Sequence, residues 1–311
     1  MSTGEREARS DPGTNGSAGG FRVGFIGLGN MGAPMAKRLV DWPGGLTVCD
    51  MRADAAQPFI ESGAAAAVSA EQVAREASVI SVTVLNDEQV RTVVTGPEGI
   101  LRTAAPGTVI AVHSTISDRT AEELAIECAE HGVELVDAPV SGGAPGAQRG
   151  QLAVLVGGSD AAFERVRGPF GCFADLVVHA GSVGAGTRMK LARNLLHFIA
   201  FTAATEAQRL AEAAGLDITT LGKVVRHSDA VTGGPGAIML RDRTAPIEVG
   251  DFWLPILSHV RDLGEKDLTL ALELGARLGV DLPLAELALD RLGPGLGVGT
   301  SESATSEKES R

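Results

Sequence analysis

The sequence predicts an α/β chain: a mainly parallel sheet in the N-terminal half, a long bridging helix, and an all-helical C-terminal region. From Phe21 to about Ala180, apolar runs alternate with segments of helical period, which indicates βαβ units. The runs are rich in Val, Ile and Leu rather than alternating, as expected of strands buried on both faces. After Gly186 nearly every segment has helical period.

Five short apolar runs bounded by turn residues are predicted as strands: Phe21–Ile26, Leu46–Cys49, Val79–Leu85, Val109–His113 and Glu134–Ala138. Between them, helical spacing predicts helices at Met35–Val40, Ala53–Ser62, Ala70–Ala77, Asp87–Val94 and Asp118–His131. Two further runs flank a helical segment and are expected to extend the sheet: Leu152–Val156 and Leu176–His179.

The helical half begins with a pattern from Thr187 to Ala214, about 28 residues and ~40 Å long at about 1.5 Å per residue. So long a helix is expected to bridge two domains. Helical period is interrupted at Gly215, at Thr232–Gly236 and at Pro246. The predicted organisation is a disordered extension (1–20), a sheet domain (21–182), a helical domain (183–293) and a second disordered extension (294–311).

Composition excludes several classes of function. The formal net charge of the 311 residues is -12, which argues against nucleic acid or an anionic membrane as partner, because both demand a basic face. The first twenty residues lack the apolar core of a signal peptide, and no apolar run approaches a membrane span. Three scattered cysteines without a CxxC pair predict neither a disulfide framework nor a metal site. We therefore expect a cytoplasmic protein.

The segment Gly27-Leu28-Gly29-Asn30-Met31-Gly32 lies between the first predicted strand and helix. In a dinucleotide site the first glycine makes a tight turn, the second admits a pyrophosphate, and the third packs helix on strand. Asp50 ends the second strand, where an acid would meet a ribose. The alternative is an ordinary strand–helix turn, but strand, helix and acid all fall where a Rossmann-type domain needs them.

Three later segments could carry chemistry. Ser141, Gly142 and Gly143 follow a predicted strand and offer a hydroxyl and unhindered N–H groups to a carboxylate. The alternative is that these residues form an ordinary loop without a ligand. Lys190 and Asn194 are four residues apart on one helix face, and the lysine could transfer a proton if it is not simply solvated. Lys266, followed by Asp267, also fits a surface ion pair.

In their order and spacing, the four segments resemble the β-hydroxyacid dehydrogenase family, over about Phe21 to Leu292. The family includes 3-hydroxyisobutyrate dehydrogenase and tartronate semialdehyde reductase, with 6-phosphogluconate dehydrogenase more distant. The resemblance implies that Lys190 is the catalytic lysine, that Asn194 orients the substrate, and that Ser141–Gly143 bind its carboxylate. It implies that the cofactor contacts are Gly27, Leu28, Gly29, Asn30, Met31, Gly32, Asp50, Met51, Arg52, Leu85, Asn86, Thr115 and Lys266.

The expected activity is an NAD(P)-dependent interconversion of a 3-hydroxy carboxylate and its 3-oxo acid, with a lysine acid/base and no metal. Asp50 favours NAD, while Arg52 leaves NADP possible. The alternatives are an imine reductase, whose relatives usually replace the lysine, and a dinucleotide-binding protein without turnover. The expected partners are a small hydroxy-acid or semialdehyde substrate and further copies of the chain, in a homodimer or homotetramer built through the helical domain.

The sequence departs from the family pattern in four places. Val112 and Asp118 stand where relatives often carry Asp and Pro. The segment from Arg226 to Gly234 replaces a Gly-Ser-Ser-Trp-like stretch that sets substrate specificity, so the substrate side chain stays open, with His227 and Asp229 as candidates. Arg193 replaces a common Asn.

Overall fold

The structure, a computed structural model, describes residues 20–299, and the chain forms two compact units. The first unit ends at Ala192 and the second begins at Arg193, inside one long helix rather than before it. The extension predicted for residues 1–20 lies outside the described residues except for Gly20, as do residues 300–311.

The first unit contains one sheet, which in the described part of the chain has nine strands. These are β1 Val23–Ile26, β2 Leu46–Cys49, β3 Ala65–Ala66, β4 Val79–Val82, β5 Val109–Val112, β6 Glu134–Asp137, β7 Val140–Ser141, β8 Leu152–Gly157 and β9 Ala174–Gly181. Strands β3-β2-β1-β4-β5-β6 are neighbours in that order and all parallel. This is the strand order of a Rossmann-type domain, so the predicted fold class is confirmed. Beyond β6, strand β8 pairs antiparallel with β6 and β7 and parallel with β9.

Helices cover both faces of the sheet. They are α1 Gly32–Lys37, α2 Gln57–Glu61, α3 Ala70–Glu76, α4 Asp87–Thr95, α5 Asp118–Glu130, α6 Gly143–Arg149 and α7 Asp160–Gly171, with short 3-10 turns at Ala53–Ala56 and Ile100–Arg102. Alternate residues of β5 enter opposite cores, since Val109 and Ala111 pack on one side and Ile110 and Val112 on the other. Burial on both faces accounts for the continuous apolar runs.

Three features of the first unit differ from the prediction. Strand β4 ends at Val82, and the next residues turn, held by two hydrogen bonds between the Ser114 hydroxyl and the Val84 backbone. Strand β3 was not predicted, because two alanines have no apolar periodicity. The segment after β6 is not a plain loop: Val140–Ser141 forms β7 and Gly143–Arg149 forms α6.

The second unit is helical. A 29-residue helix, α8 Ala185–Ala213, enters it from the first unit and is followed by α9 Ile218–Thr232, α10 Trp253–Leu278 and α11 Pro283–Leu296. A 3-10 turn at Gly234–Ile238 follows α9, near the predicted interruption. Helix α11 runs to Leu296, so the predicted C-terminal extension begins too early. No helix in the described residues is both long and apolar enough to cross a membrane.

A buried carboxylate organises the second unit. Glu206 on α8 accepts hydrogen bonds from the backbone N–H groups of Leu284 (2.8 Å) and Ala285 (3.1 Å), at the start of α11. No side chain caps α11 at its own N-cap residue, Leu282. Glu206 thus satisfies N–H groups that the helix itself leaves unpaired.

Candidate active site

The glycine loop, residues 27–32, follows β1, and a side chain at each of its three glycines would meet different surroundings. Gly27 has φ +93°, and a Cβ there would lie 2.0 Å from the carbonyl oxygen of Thr83. A Cβ on Gly32 would lie 1.9 Å from the carbonyl oxygen of Gly27. A Cβ on Gly29 would meet nothing within 4 Å. The first and third glycines are therefore required by the protein's own packing, whereas Gly29 borders the open space that a pyrophosphate approaching the backbone would occupy.

Asp50, just after β2, holds this loop in place. Its carboxylate accepts hydrogen bonds from the backbone N–H of Leu28 (2.6 Å) and of Arg52 (2.9 Å), and the Arg52 guanidinium is 3.4 Å away. Burial would raise the pKa of Asp50, but the two N–H donors and the Arg52 charge together lower it below its usual value. Asp50 is therefore a carboxylate at neutral pH, while Met51 and Arg52 project into solvent.

Three further predicted cofactor residues lie at the same edge of the sheet. Leu85 and Asn86 follow β4, and Thr115 follows β5. Leu85 and Thr115 are exposed, and the Asn86 side chain caps α4 by accepting from Gln89 N–H (2.9 Å). Because parallel strands end at one edge, the residues after β1, β2, β4 and β5 share the carboxyl edge where α/β sheets bind ligands.

The predicted carboxylate-binding turn lies beyond β6. It comprises Ser141, Gly142 and Gly143, and we call it the cradle. Ser141 is the last residue of β7, and Gly142 (φ +129°) and Gly143 (φ +64°) follow it, both exposed. These two backbone conformations are rarely adopted by residues with a side chain. The turn therefore presents its backbone N–H groups without side-chain cover, next to the Ser141 hydroxyl.

Asp137, the last residue of β6, fixes the start of α8. Its fully buried carboxylate accepts hydrogen bonds from the backbone N–H groups of Gly184 (2.7 Å) and Thr187 (2.6 Å). Burial raises its pKa more than these N–H donors lower it. Asp137 was given no role of its own from the sequence, because the N–H groups that its carboxylate accepts from lie 47 and 50 residues further along the chain.

Two glycines bring the first turn of α8 against the sheet. A Cβ on Gly186 would lie 2.2 Å from the carbonyl oxygen of Leu155 and 2.6 Å from that of Asp137. A Cβ on Gly157, in β8, would lie 2.3 Å from the Asp137 carboxylate. The helix therefore starts in backbone-to-backbone contact with β6 and β8.

This placement brings Lys190 to the cradle. Lys190 is only 8% exposed, and its ammonium group donates a hydrogen bond of 2.6 Å to the carbonyl oxygen of Val140, the residue before Ser141. The solvated-lysine alternative is therefore wrong. The motifs at 141–143 and 190, which are distant in sequence, meet in the first unit.

The remaining predicted site residues belong to the second unit. Asn194 lies one turn after Lys190 on α8, and its side-chain oxygen accepts from Arg193 (3.3 Å). Lys266 is exposed on α10, with its ammonium group 3.2 Å from the Asp267 carboxylate, as the surface-pair alternative describes. His227 and Asp229 are exposed on α9.

His113, directly after β5, is a buried polar residue that the sequence analysis did not single out. Nδ1 lies 2.7 Å from the carbonyl oxygen of Ala138 and Nε2 lies 3.0 Å from the Ser81 hydroxyl. Burial lowers the pKa of His113 to about 4, against a smaller effect of the Ala138 carbonyl. The ring is therefore neutral at physiological pH, with Nδ1–H donating to Ala138 and Nε2 accepting from Ser81.

The site can be compared with known proteins. Residues 22–181 match the family described as the NAD binding domain of 6-phosphogluconate dehydrogenase. Residues 184–293 match the family described as NAD-binding of NADP-dependent 3-hydroxyisobutyrate dehydrogenase. A 2-(hydroxymethyl)glutarate dehydrogenase from Eubacterium barkeri is 34% identical over 86% of this chain and 87% of its own.

The chain belongs to the β-hydroxyacid dehydrogenase family. It is an oxidoreductase with a binding domain for a nicotinamide dinucleotide, as the resemblance implied. An uncharacterised oxidoreductase of Mycobacterium tuberculosis is 61% identical over 89% of this chain and 94% of its own. The crystal structure of an oxidoreductase from Mycobacterium avium 104 has a TM-score of 0.86 and 55% identity, and the match covers 89% of this chain and 99% of that one.

Imine reductases share the fold of this chain. One from Streptomyces aurantiacus has a TM-score of 0.70 at 22% identity, over 92% of this chain and 99% of that one. At such identity the likeness concerns the fold alone.

Gly186→Ala is predicted to destabilise the protein, because the added Cβ meets backbone atoms that cannot rotate away. We expect a loss of about 1–3 kcal/mol in the free energy of unfolding, measured by urea titration. Gly171→Ala is the matched control, since a Cβ there meets nothing within 4 Å, and it should be neutral or slightly stabilising. Equal stabilities of the two variants would contradict the close approach of α8.

Proposed function

We propose that the protein interconverts a 3-hydroxy carboxylate and its 3-oxo acid, with Lys190 as the acid/base. The observation that carries the proposal is the buried Lys190, whose ammonium group is held 2.6 Å from Val140 O at the edge of the Ser141–Gly143 turn. Family membership supports the reaction class, and the 2-(hydroxymethyl)glutarate dehydrogenase supports a substrate that carries both a hydroxyl and a carboxylate.

The residues present fit a nicotinamide dinucleotide. The open space at Gly29 would admit the pyrophosphate, with Leu28, Asn30 and Met31 beside it, and Asp50 would meet the adenine ribose. Leu85, Asn86 and Thr115 would line the route along the sheet edge, and Lys266 stays a cofactor contact that only the family resemblance implies. When bound, the nicotinamide accepts or donates the hydride.

The chain's own residues would bind the substrate and move its proton. Exposed N–H groups of Gly142 and Gly143 and the Ser141 hydroxyl would bind the carboxylate and thereby fix the orientation of the carbinol carbon. Lys190 would take the hydroxyl proton during oxidation and return it during reduction. The hydrogen bond to Val140 keeps the lysine side chain directed at this turn. Asn194, one turn along the helix, would orient the substrate oxygen.

Lys190→Ala is predicted to lower kcat by about 10²–10⁴, because the proton transfer loses its positioned group. Binding of the reduced cofactor, measured by fluorescence titration, should change little. The control is Lys223→Ala, which removes an exposed lysine of α9 and should leave kcat as it is. The assays use a panel of 3-hydroxy acids, semialdehydes and cyclic imines.

The panel also separates the rival functions. Turnover of imines but of no hydroxy acid would favour an imine reductase, and cofactor binding without any turnover would favour a regulatory protein. Normal turnover by Lys190→Ala would refute the role of the lysine.

NAD is predicted to be preferred over NADP. The Asp50 carboxylate stays ionised, since its N–H partners and Arg52 lower its pKa, and an anion there repels a 2′-phosphate. Asp50→Asn should therefore narrow the kcat/KM ratio between the two cofactors. The exposed Arg52 could instead attract the 2′-phosphate of NADP. Arg52→Ala should therefore widen the kcat/KM ratio in favour of NAD. A wild-type preference for NADP, or equal kcat/KM values, would contradict this assignment.

We propose that the protein is a homodimer or homotetramer assembled through its helical unit. On α8, Leu195, Phe198 and Phe201 are 65%, 61% and 56% exposed, and apolar surface of this kind is usually covered by a partner. A second copy of the chain would cover it. Light scattering at low micromolar concentration should give a multiple of the 31.9 kDa chain mass, and a monomer mass would contradict assembly.

We also propose a cytoplasmic location, since the three cysteines are free.

A further inference from the structure

His113 connects the ends of three neighbouring strands. It follows β5 directly, donates to Ala138 after β6, and accepts from Ser81 within β4. Its ring lies among Phe25, Phe170 and Phe173, with centroids 6.3, 5.0 and 5.7 Å away. The ring thus meets three aromatic side chains, a hydroxyl and a carbonyl. A buried, fully paired imidazole of this kind is directionally fixed.

The segment that His113 holds leads directly to Lys190. Three successive carbonyl oxygens each accept one hydrogen bond: Ala138 from His113 (2.7 Å), Pro139 from Leu155 N–H (3.0 Å), and Val140 from Lys190 (2.6 Å). Two of the three donors are buried side chains. The direction of the Val140 carbonyl therefore depends on how the preceding peptide units are held.

We propose that His113 is a positioning residue for proton transfer: by fixing the Ala138–Val140 segment, it sets the position at which Val140 holds the Lys190 ammonium group. The inference rests on the proposed function, in which Lys190 is the acid/base. His113 touches neither substrate nor cofactor in this arrangement and acts through the backbone. Its low pKa of about 4 keeps the donor on Nδ1 the same across physiological pH.

The proposal also explains why a polar ring lies in an aromatic core. Ala138 is fully buried, so without His113 its carbonyl oxygen would lose a hydrogen bond that water cannot readily replace. A phenylalanine at this position would satisfy the packing but not the carbonyl. The polar ring is thus needed to pair the Ala138 carbonyl oxygen, rather than to fill the core.

The test compares three variants of the full-length protein. His113→Phe keeps the ring volume and removes the donor, so kcat should fall about tenfold, as for one lost hydrogen bond, while KM for substrate and cofactor stays unchanged. His113→Asn places an amide N–H near the position of Nδ1 and should restore most of kcat. Val166→Ala, in the buried face of α7, should lower stability and leave kcat unchanged, which separates positioning from general destabilisation.

A second measurement does not depend on activity. Hydrogen exchange of residues 137–143 should be faster in His113→Phe than in the wild type, and close to wild type in His113→Asn. Wild-type protein inactive on every 3-hydroxy acid would refute the proposed function, while hydrogen exchange would still report on the segment. An active wild type together with normal kcat and exchange in His113→Phe would overturn the inference. Should that variant not fold, Ser81→Ala takes its place, because it removes the hydroxyl that orients the ring. Normal kcat and normal hydrogen exchange in Ser81→Ala would then overturn the inference.

Discussion

The arrangement of the site depends on one buried carboxylate. Asp137 ends β6 and accepts the N–H groups of Gly184 and Thr187, at the positive end of the α8 dipole. Burying a carboxyl group is costly unless it is hydrogen-bonded in this way, so the helix start and the strand end stabilise each other. Lys190 lies one turn beyond Thr187, and its reach to Val140 follows from that anchoring. The same helix continues into the second unit as far as Ala213.

In the described residues, Asp137 is not alone in pairing with a helix start from a distant element. Glu206 serves α11 as Asp137 serves α8. Other helices are capped locally, as when Ser69 accepts from Gln72 or Ser159 from Ala162. Local caps have a fixed spacing and can be recognised in a sequence, whereas Asp137 and Thr187 are 50 residues apart. Nothing in the spacing of the sequence reveals such a pair.

This difference sets how far the sequence could predict the structure. The buried parallel strands and the glycine loop were predictable because burial on both faces and a tight turn each restrict which residues can occur. Strand β7 and helix α6 were not, because Val140–Ser141 is two residues long and α6 starts between glycines and contains a proline. His113 gave no signal either, since a lone histidine in an apolar run does not reveal the carbonyl that it meets. Lys190 was predicted by motif, but its burial follows only from the anchoring of α8.

One departure from the family pattern has a visible structural counterpart. Asp118, where relatives often carry proline, accepts a hydrogen bond of 2.8 Å from Arg188 on α8, and Arg188 also contacts Glu122. The pair is largely exposed, so its contribution to stability is small. It joins the start of α5 to the helix that carries Lys190, which adds a second, weaker restraint to the one from Asp137.

The end of β5 divides the sheet edge into two sides. Ser114 binds the Val84 backbone on the side of the proposed cofactor residues, while its neighbour His113 binds Ala138 on the side of Lys190. Two adjacent residues that follow one strand thus brace the two halves of the candidate site. The residues proposed to bind the cofactor and to transfer the proton therefore lie mainly within the first unit. The segment from Arg226 to Gly234, whose part in substrate choice stays a prediction from the family resemblance, belongs to the second unit. The hydrogen bonds from Lys190 to Val140 and from Gly184 and Thr187 to Asp137 are made within the first unit.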